Sequence, residues 1–150
     1  MTRTIVALVL ASSAQPAPAF AADAHVVTAS VLALAPTCSL RCTDSTSVRF
    51  LSIVRLDSCN VPSCSVTLSA TVWPQIRRHG AWRNLTAGAS DSARVFVGER
   101  ARVAIRLRCR DIPGDSNLFR TMSRGGAIGG HSFYPNTPKP NVSKPVSARC

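Results

Sequence analysis

Carboxylates are scarce in this 150-residue sequence: Glu99 is the single glutamate and there are six aspartates, against eighteen lysines and arginines, for a formal net charge of +11. The aspartates fall mostly in turn-forming stretches, so the facing carboxylate pair that glycoside hydrolysis needs has no support. Histidine is as sparse. His25, His79 and His131 lie far apart in the chain and read as ordinary exposed side chains. No serine sits in Gly-x-Ser-x-Gly, Arg124-Gly125-Gly126 lacks the lysine and helix of a phosphate loop, and no cysteine pair has the Cys-x2-Cys spacing of a thiol oxidoreductase. Aromatics make up 5% of the chain, too few to interleave with basic residues as single-strand nucleic-acid binding requires, so nucleic acid is not an expected partner. No apolar run is long enough to form a stable bilayer span, and no heptad pattern is present. These absences favour a non-enzyme: no catalytic residue, cofactor or metal is assigned.

What the sequence does have is arginine, sixteen of its eighteen basic residues. The stretch Gly98 to Arg110 reads GERARVAIRLRCR. Ala101, Val103, Ile105, Leu107 and Cys109 share one parity, and Arg100, Arg102, Arg106, Arg108 and Arg110 the other, with Ala104 between. A strand sends alternate side chains to opposite faces, so this segment predicts one buried apolar ridge and one row of guanidinium groups in water. As a helix the arginines would spread around the whole circumference.

The chain opens on a basic Met1-Thr2-Arg3, the apolar run Ile5 to Ala11, and small residues at Pro18-Ala19-Phe20-Ala21. That pattern predicts a signal peptide over 1–21, cut after Ala21, with a later cut left open. All six cysteines, Cys38, Cys42, Cys59, Cys64, Cys109 and Cys150, lie beyond it. An even count behind an export signal points to disulfides formed outside a reducing cytosol, among fifteen possible pairings. The spacings at 38/42 and 59/64 resemble zinc half-sites, but an oxidising compartment makes disulfides the easier fate.

Residues 22–122 are expected to form a β-sandwich core. His25 to Leu34 reads as a strand closed by Pro36, and Val48 to Leu56 as a second, with Val48, Phe50, Val54 and Leu56 on one face and Arg49, Leu51, Ile53 and Arg55 on the other. A third opens at Cys64 with Val66, Leu68, Ala70 and Val72 facing in and Ser65, Thr67, Ser69 and Thr71 facing out, ending at Trp73-Pro74. Arg77 to Gly80 predicts a turn, with Ala81 to Leu85 returning and Trp82 as a core anchor. Ala93 to Val97 and Leu118 to Met122 read as further short strands. The last segment, 123–150, is expected to be an irregular tail, rich in glycine and proline and pinned by Cys150. Short strands at close spacing predict an all-β fold, a small antiparallel β-sandwich with an immunoglobulin-like layout.

The arginine row supports three readings. Its side chains can repeat at about 7 to 14 Å and meet successive charges on a polymer. It can guard an exposed strand against edge-to-edge pairing. It can also reflect composition alone. Val66 to Val72 leading through Trp73 to Gly80-Ala81-Trp82-Arg83, then the strand ending in Cys109, Pro113-Gly114 and Phe119-Arg120, resembles small secreted, disulfide-stabilised β-sandwich proteins of high-GC actinobacteria. The resemblance implies export and a sandwich, and brings no catalytic residues. The expected function is that of a secreted interaction protein, free or held at the envelope, with Arg100, Arg102, Arg106, Arg108 and Arg110 binding an anionic cell-surface polymer or an acidic protein. The alternatives are a small secreted hydrolase or toxin with a site assembled from loops around His79, His131 and the aspartates, and a purely structural envelope component.

Overall fold

The strict alternation around residues 64–72 becomes the central strand of one sheet. In a computed structural model, which describes residues 26–39, 46–112, 114, 116–128, 132–134 and 140–149, Val66, Leu68, Ala70 and Val72 are buried while Ser65, Thr67, Ser69 and Thr71 lie half-buried on the other face. The strands are β1 (Val26–Cys38), β2 (Ser47–Cys59), β3 (Ser65–Arg78), β4 (Ala81–Asn84), β5 (Ala89–Phe96), β6 (Arg100–Arg108), β7 (Ser116–Ile128), β8 (Ser132–Tyr134), β9 (Asn141–Val142) and β10 (Val146–Arg149). Sheet A runs β6-β2-β1-β8. Sheet B runs β10-β7-β3-β4, with β5 also on β3 and β9 also on β7. The β1–β8 pairing is parallel, and the other pairings among the described residues are antiparallel. The chain is thus a small all-β sandwich. The expected leader over 1–21, His25, His131, Cys42 and the pinning by Cys150 lie outside the described residues.

The sandwich interior has two apolar halves separated by hydroxyls. At one end Val27, Ala29, Val54, Leu56, Val66, Leu68, Val95 and Ala101 pack together. At the other, Val48, Phe50, Val72, Ile76, Ile112 and Phe119 do so, with the Phe50 and Phe119 rings in an edge-to-face contact, centroids 6.0 Å apart. Between them the inward positions of β2 and β7 carry Ser52, Thr121 and Ser123, all fully buried, and the Ser52 and Ser123 hydroxyls bond each other across the sheets. Pairing satisfies both polar groups where water cannot reach.

Cys59 and Cys64 form a disulfide that closes the crossing from sheet A to sheet B. A loop this short contributes on the order of 2 kcal/mol through the unfolded state. Cys38 and Cys109 are also disulfide-bonded, and no described cysteine is free.

Several strands run past the residues expected to stop them. β1 passes through Pro36 because its register with β2 slips between Leu34 and Thr37, leaving an extra residue where a missing N–H costs no ladder bond. β3 passes through Pro74 for a related reason. Pro74 offers its carbonyl to the Leu85 N–H at 2.9 Å, so its nitrogen points the same way, into the gap between β5, whose pairing ends at Val72, and β4, whose pairing begins at Gln75. The ladder to β7 on the opposite side is untouched. β7 continues through Gly125 and Gly126 to Ile128, where the composition predicts an irregular tail. A Cβ on Gly125 would lie 2.5 Å from a Val54 methyl, so the absent side chain is what lets the two sheets close at that point. Beyond it, short edge strands β9 and β10 dock on β7. The β3–β4 turn, His79-Gly80, has positive φ at both residues (48° and 80°), the geometry of a tight two-residue hairpin.

Candidate interaction face

β6 is an edge strand of sheet A, and its burial alternates as its sequence does: Ala101 buried, Val103, Ile105 and Leu107 half-buried, Arg100, Arg102, Arg106 and Arg108 exposed, with Cys109 buried just past its end. The strand stops at Arg108. Cys109–Asp111 form a single 3-10 turn, so Arg110 is not the fifth member of the row; it lies on that turn, 3.8 Å from Asp111.

The register with β2 adds to the row. Arg106 stands directly opposite Arg49, and Arg100 directly opposite Arg55. Like charges facing each other across a strand pair are destabilising. Arg55 is relieved by Asp57 at 3.7 Å, whose carboxylate also accepts a bond from the Ser30 hydroxyl. Arg49, Arg100, Arg102, Arg106 and Arg108 form no ion pair with any described residue. Six guanidinium groups therefore share one outer face with Asp57 as the acid on its strands.

Along the sandwich edge where β5 passes β6, Arg94, Glu99, Arg100 and Arg102 line an open groove of about 370 Å³ floored by Ala93 and Val95. Arg94 donates to the Ser65 hydroxyl at 2.9 Å, and the Glu99 carboxylate accepts the Phe96 N–H at 2.9 Å, closing the β5–β6 turn. Both are partly committed to partners within the chain, Arg94 to a side chain and Glu99 to the backbone, whereas Arg100 and Arg102 are not.

The outer face of sheet B uses arginine differently. Arg120 lies 4.3 Å over the Trp82 ring and donates to the Gln75 side-chain oxygen at 2.8 Å, while the Gln75 amide donates to Asn84 at 2.8 Å. Burial lowers the Arg120 pKa from its ordinary value, which still leaves the guanidinium charged. Trp82 is therefore a cation-stacked outer residue and not the expected core anchor; it joins neither buried cluster. Gly88 lies against Trp73, where a Cβ would come within 2.3 Å of the indole nitrogen. Each ring thus has a contact within the chain.

His79 sits on the exposed β3–β4 turn, Asp57 and Asp111 each face an arginine, and Asp91 caps the Ser92 N–H. Among the described residues no three potential metal ligands cluster. No described helix is long and apolar enough to cross a membrane.

No known protein family and no curated protein sequence matches the chain. Among solved structures, β-glucosidase 3B from Thermotoga neapolitana in complex with glycerol aligns with 81% of this chain at 10% identity and a TM-score of 0.35. The chain spans 17% of that enzyme's length. A likeness that weak carries no argument about function.

Proposed function

We propose that this chain is an exported, disulfide-bonded β-sandwich, akin to the small secreted proteins of high-GC actinobacteria, that works by surface contact. Its partner carries fixed negative charge, as an anionic cell-envelope component or an acidic protein does, and is held by the outer face of β6. One observation carries this reading: Arg100, Arg102, Arg106 and Arg108 stand exposed in a row, opposite Arg49 and Arg55, with their charge left largely uncompensated. A protein that needed only to guard the β6 edge gains nothing from aligning arginines on β2 as well. Four disulfide-bonded cysteines at strand ends or directly beside them, Cys38, Cys59, Cys64 and Cys109, support an oxidising compartment. The fork of each guanidinium suits carboxylate or phosphate.

Retention of the oxidised protein on immobilised polyglutamate, titrated with salt from about 0.05 to 0.5 M, tests the reading, because exposed charge contacts fade as the Debye length shrinks. Arg102→Ala with Arg106→Ala is expected to weaken retention about tenfold at low salt and to flatten its salt dependence. Retention unchanged in that double variant would discard the β6 face as the contact.

A further inference from the structure

The arginines on sheet A do not cover the face evenly. They frame an apolar centre. The registers place Leu34 beside Leu51 beside Ala104 in one row across β1, β2 and β6, and Leu32 beside Ile53 in the next, where Arg102 completes the row. Leu32 and Leu34 are 47% and 38% exposed, Ala104 is exposed, and Leu51 and Ile53 are half-buried. One row further along the strands in each direction stand the Arg49–Arg106 and Arg55–Arg100 pairs. Neighbouring strands lie about 4.8 Å apart and same-face residues about 7 Å apart, so an aliphatic patch roughly 10 Å wide has arginines at both of its ends and along its β6 side.

Resting on the reading that this face binds anions, we propose that its partner is an anionic lipid surface: the aliphatic centre enters the acyl boundary and the surrounding guanidinium groups hold lipid phosphates. Charge and chemistry select this occupant. A second copy of the chain would bring arginines against arginines, because a two-fold contact puts the same patch on both sides. An acidic protein would have to present an apolar patch of its own, ringed by carboxylates at the matching spacing, because the side chains of this centre are purely aliphatic. A soluble polyanion would leave the exposed leucines unused. A lipid layer needs an apolar middle and cationic donors around it, and arginine can keep its head group at the phosphate level while its stem lies along apolar surface.

Vesicles of equal parts phosphatidylglycerol and phosphatidylcholine, vesicles of phosphatidylcholine alone, and immobilised polyglutamate separate the outcomes. The oxidised protein is expected to sediment with the anionic vesicles and not with phosphatidylcholine. Leu32→Thr with Leu34→Thr, which places β-branched residues on the strand, is expected to weaken vesicle binding about tenfold while retention on polyglutamate stays within about twofold. Leu32→Trp provides a second readout that does not depend on the threonine variant folding: its emission shifts to the blue with anionic vesicles and not with phosphatidylcholine. Anionic vesicles bound equally by the wild type and the threonine variant, with no blue shift in the Leu32→Trp variant, would overturn the lipid proposal and leave an electrostatic face standing. Binding to polyglutamate without binding to anionic vesicles would overturn it in favour of an acidic protein or polymer. Binding to neither anionic probe would defeat the arginine-face reading itself.

Discussion

The two outer faces of this sandwich are built from the same basic residue and handle it in opposite ways. On sheet B, Arg120 is stacked on Trp82 and bonded to Gln75, Arg94 is bonded to Ser65, and Arg77, opposite Trp82, and Arg124, opposite Thr71, stand six residues apart along the strand direction. On sheet A, arginines are set directly opposite one another and around exposed leucines. A sheet that needs arginine only for solubility can space it as sheet B does. The arrangement on sheet A carries a local electrostatic cost, and an external anion would remove it.

The largest expected effect concerns the inner face that joins the sheets. Gly125→Ala places a methyl against Val54 and Val31 and is expected to destabilise the fold by about 2 to 3 kcal/mol, whereas Gly126→Ala, on the outer face near the hydroxyl end of Ser69, stays within about 0.5 kcal/mol of wild type in urea denaturation. Next in size, Arg120→Ala on sheet B is expected to cost about 1 to 2 kcal/mol, because it removes the stack on Trp82 and leaves the buried Gln75 oxygen without its donor. The smallest effect has the opposite sign. Arg106→Ala on sheet A is expected to stabilise the protein by up to about 0.5 kcal/mol at low salt, with the gain vanishing at high salt, since it relieves Arg49. Equal destabilisation by Arg106→Ala and Arg120→Ala would erase the distinction between the faces.

The sequence is most legible where alternation is strict. The inward sets on β2, β3 and β6 follow directly from period two, because one face of each strand is buried and a one-residue slip would expose it. Strand ends are less legible. Pro36, Pro74 and Gly125 have the local chemistry of breakers, and what rescues each is supplied by a distant segment: a bulge against β2, a gap between β4 and β5, the approach of Val54. Trp82 fails as a core anchor for the same reason, since Arg120, far along the chain, gives the ring a partner on the outside. On the candidate face, the row on β6 and the pairing of Leu51 and Ile53 with Arg49 and Arg55 on one side of β2 can be read from the sequence. Only the β1–β2 register brings Leu32 and Leu34 beside them, and only the β2–β6 register sets arginine against arginine.

On the function proposed for this face, position on sheet A, and not net charge, is what lets these arginines bind. Arg102→Ala with Arg106→Ala and Arg77→Ala with Arg124→Ala remove the same charge from sheets A and B. Comparing their retention on immobilised polyglutamate at low salt tests the claim most directly. The first pair is expected to lose about tenfold and the second to stay within about twofold of wild type. Equal losses in both would overturn the proposed binding face and reduce it to the overall charge of the protein.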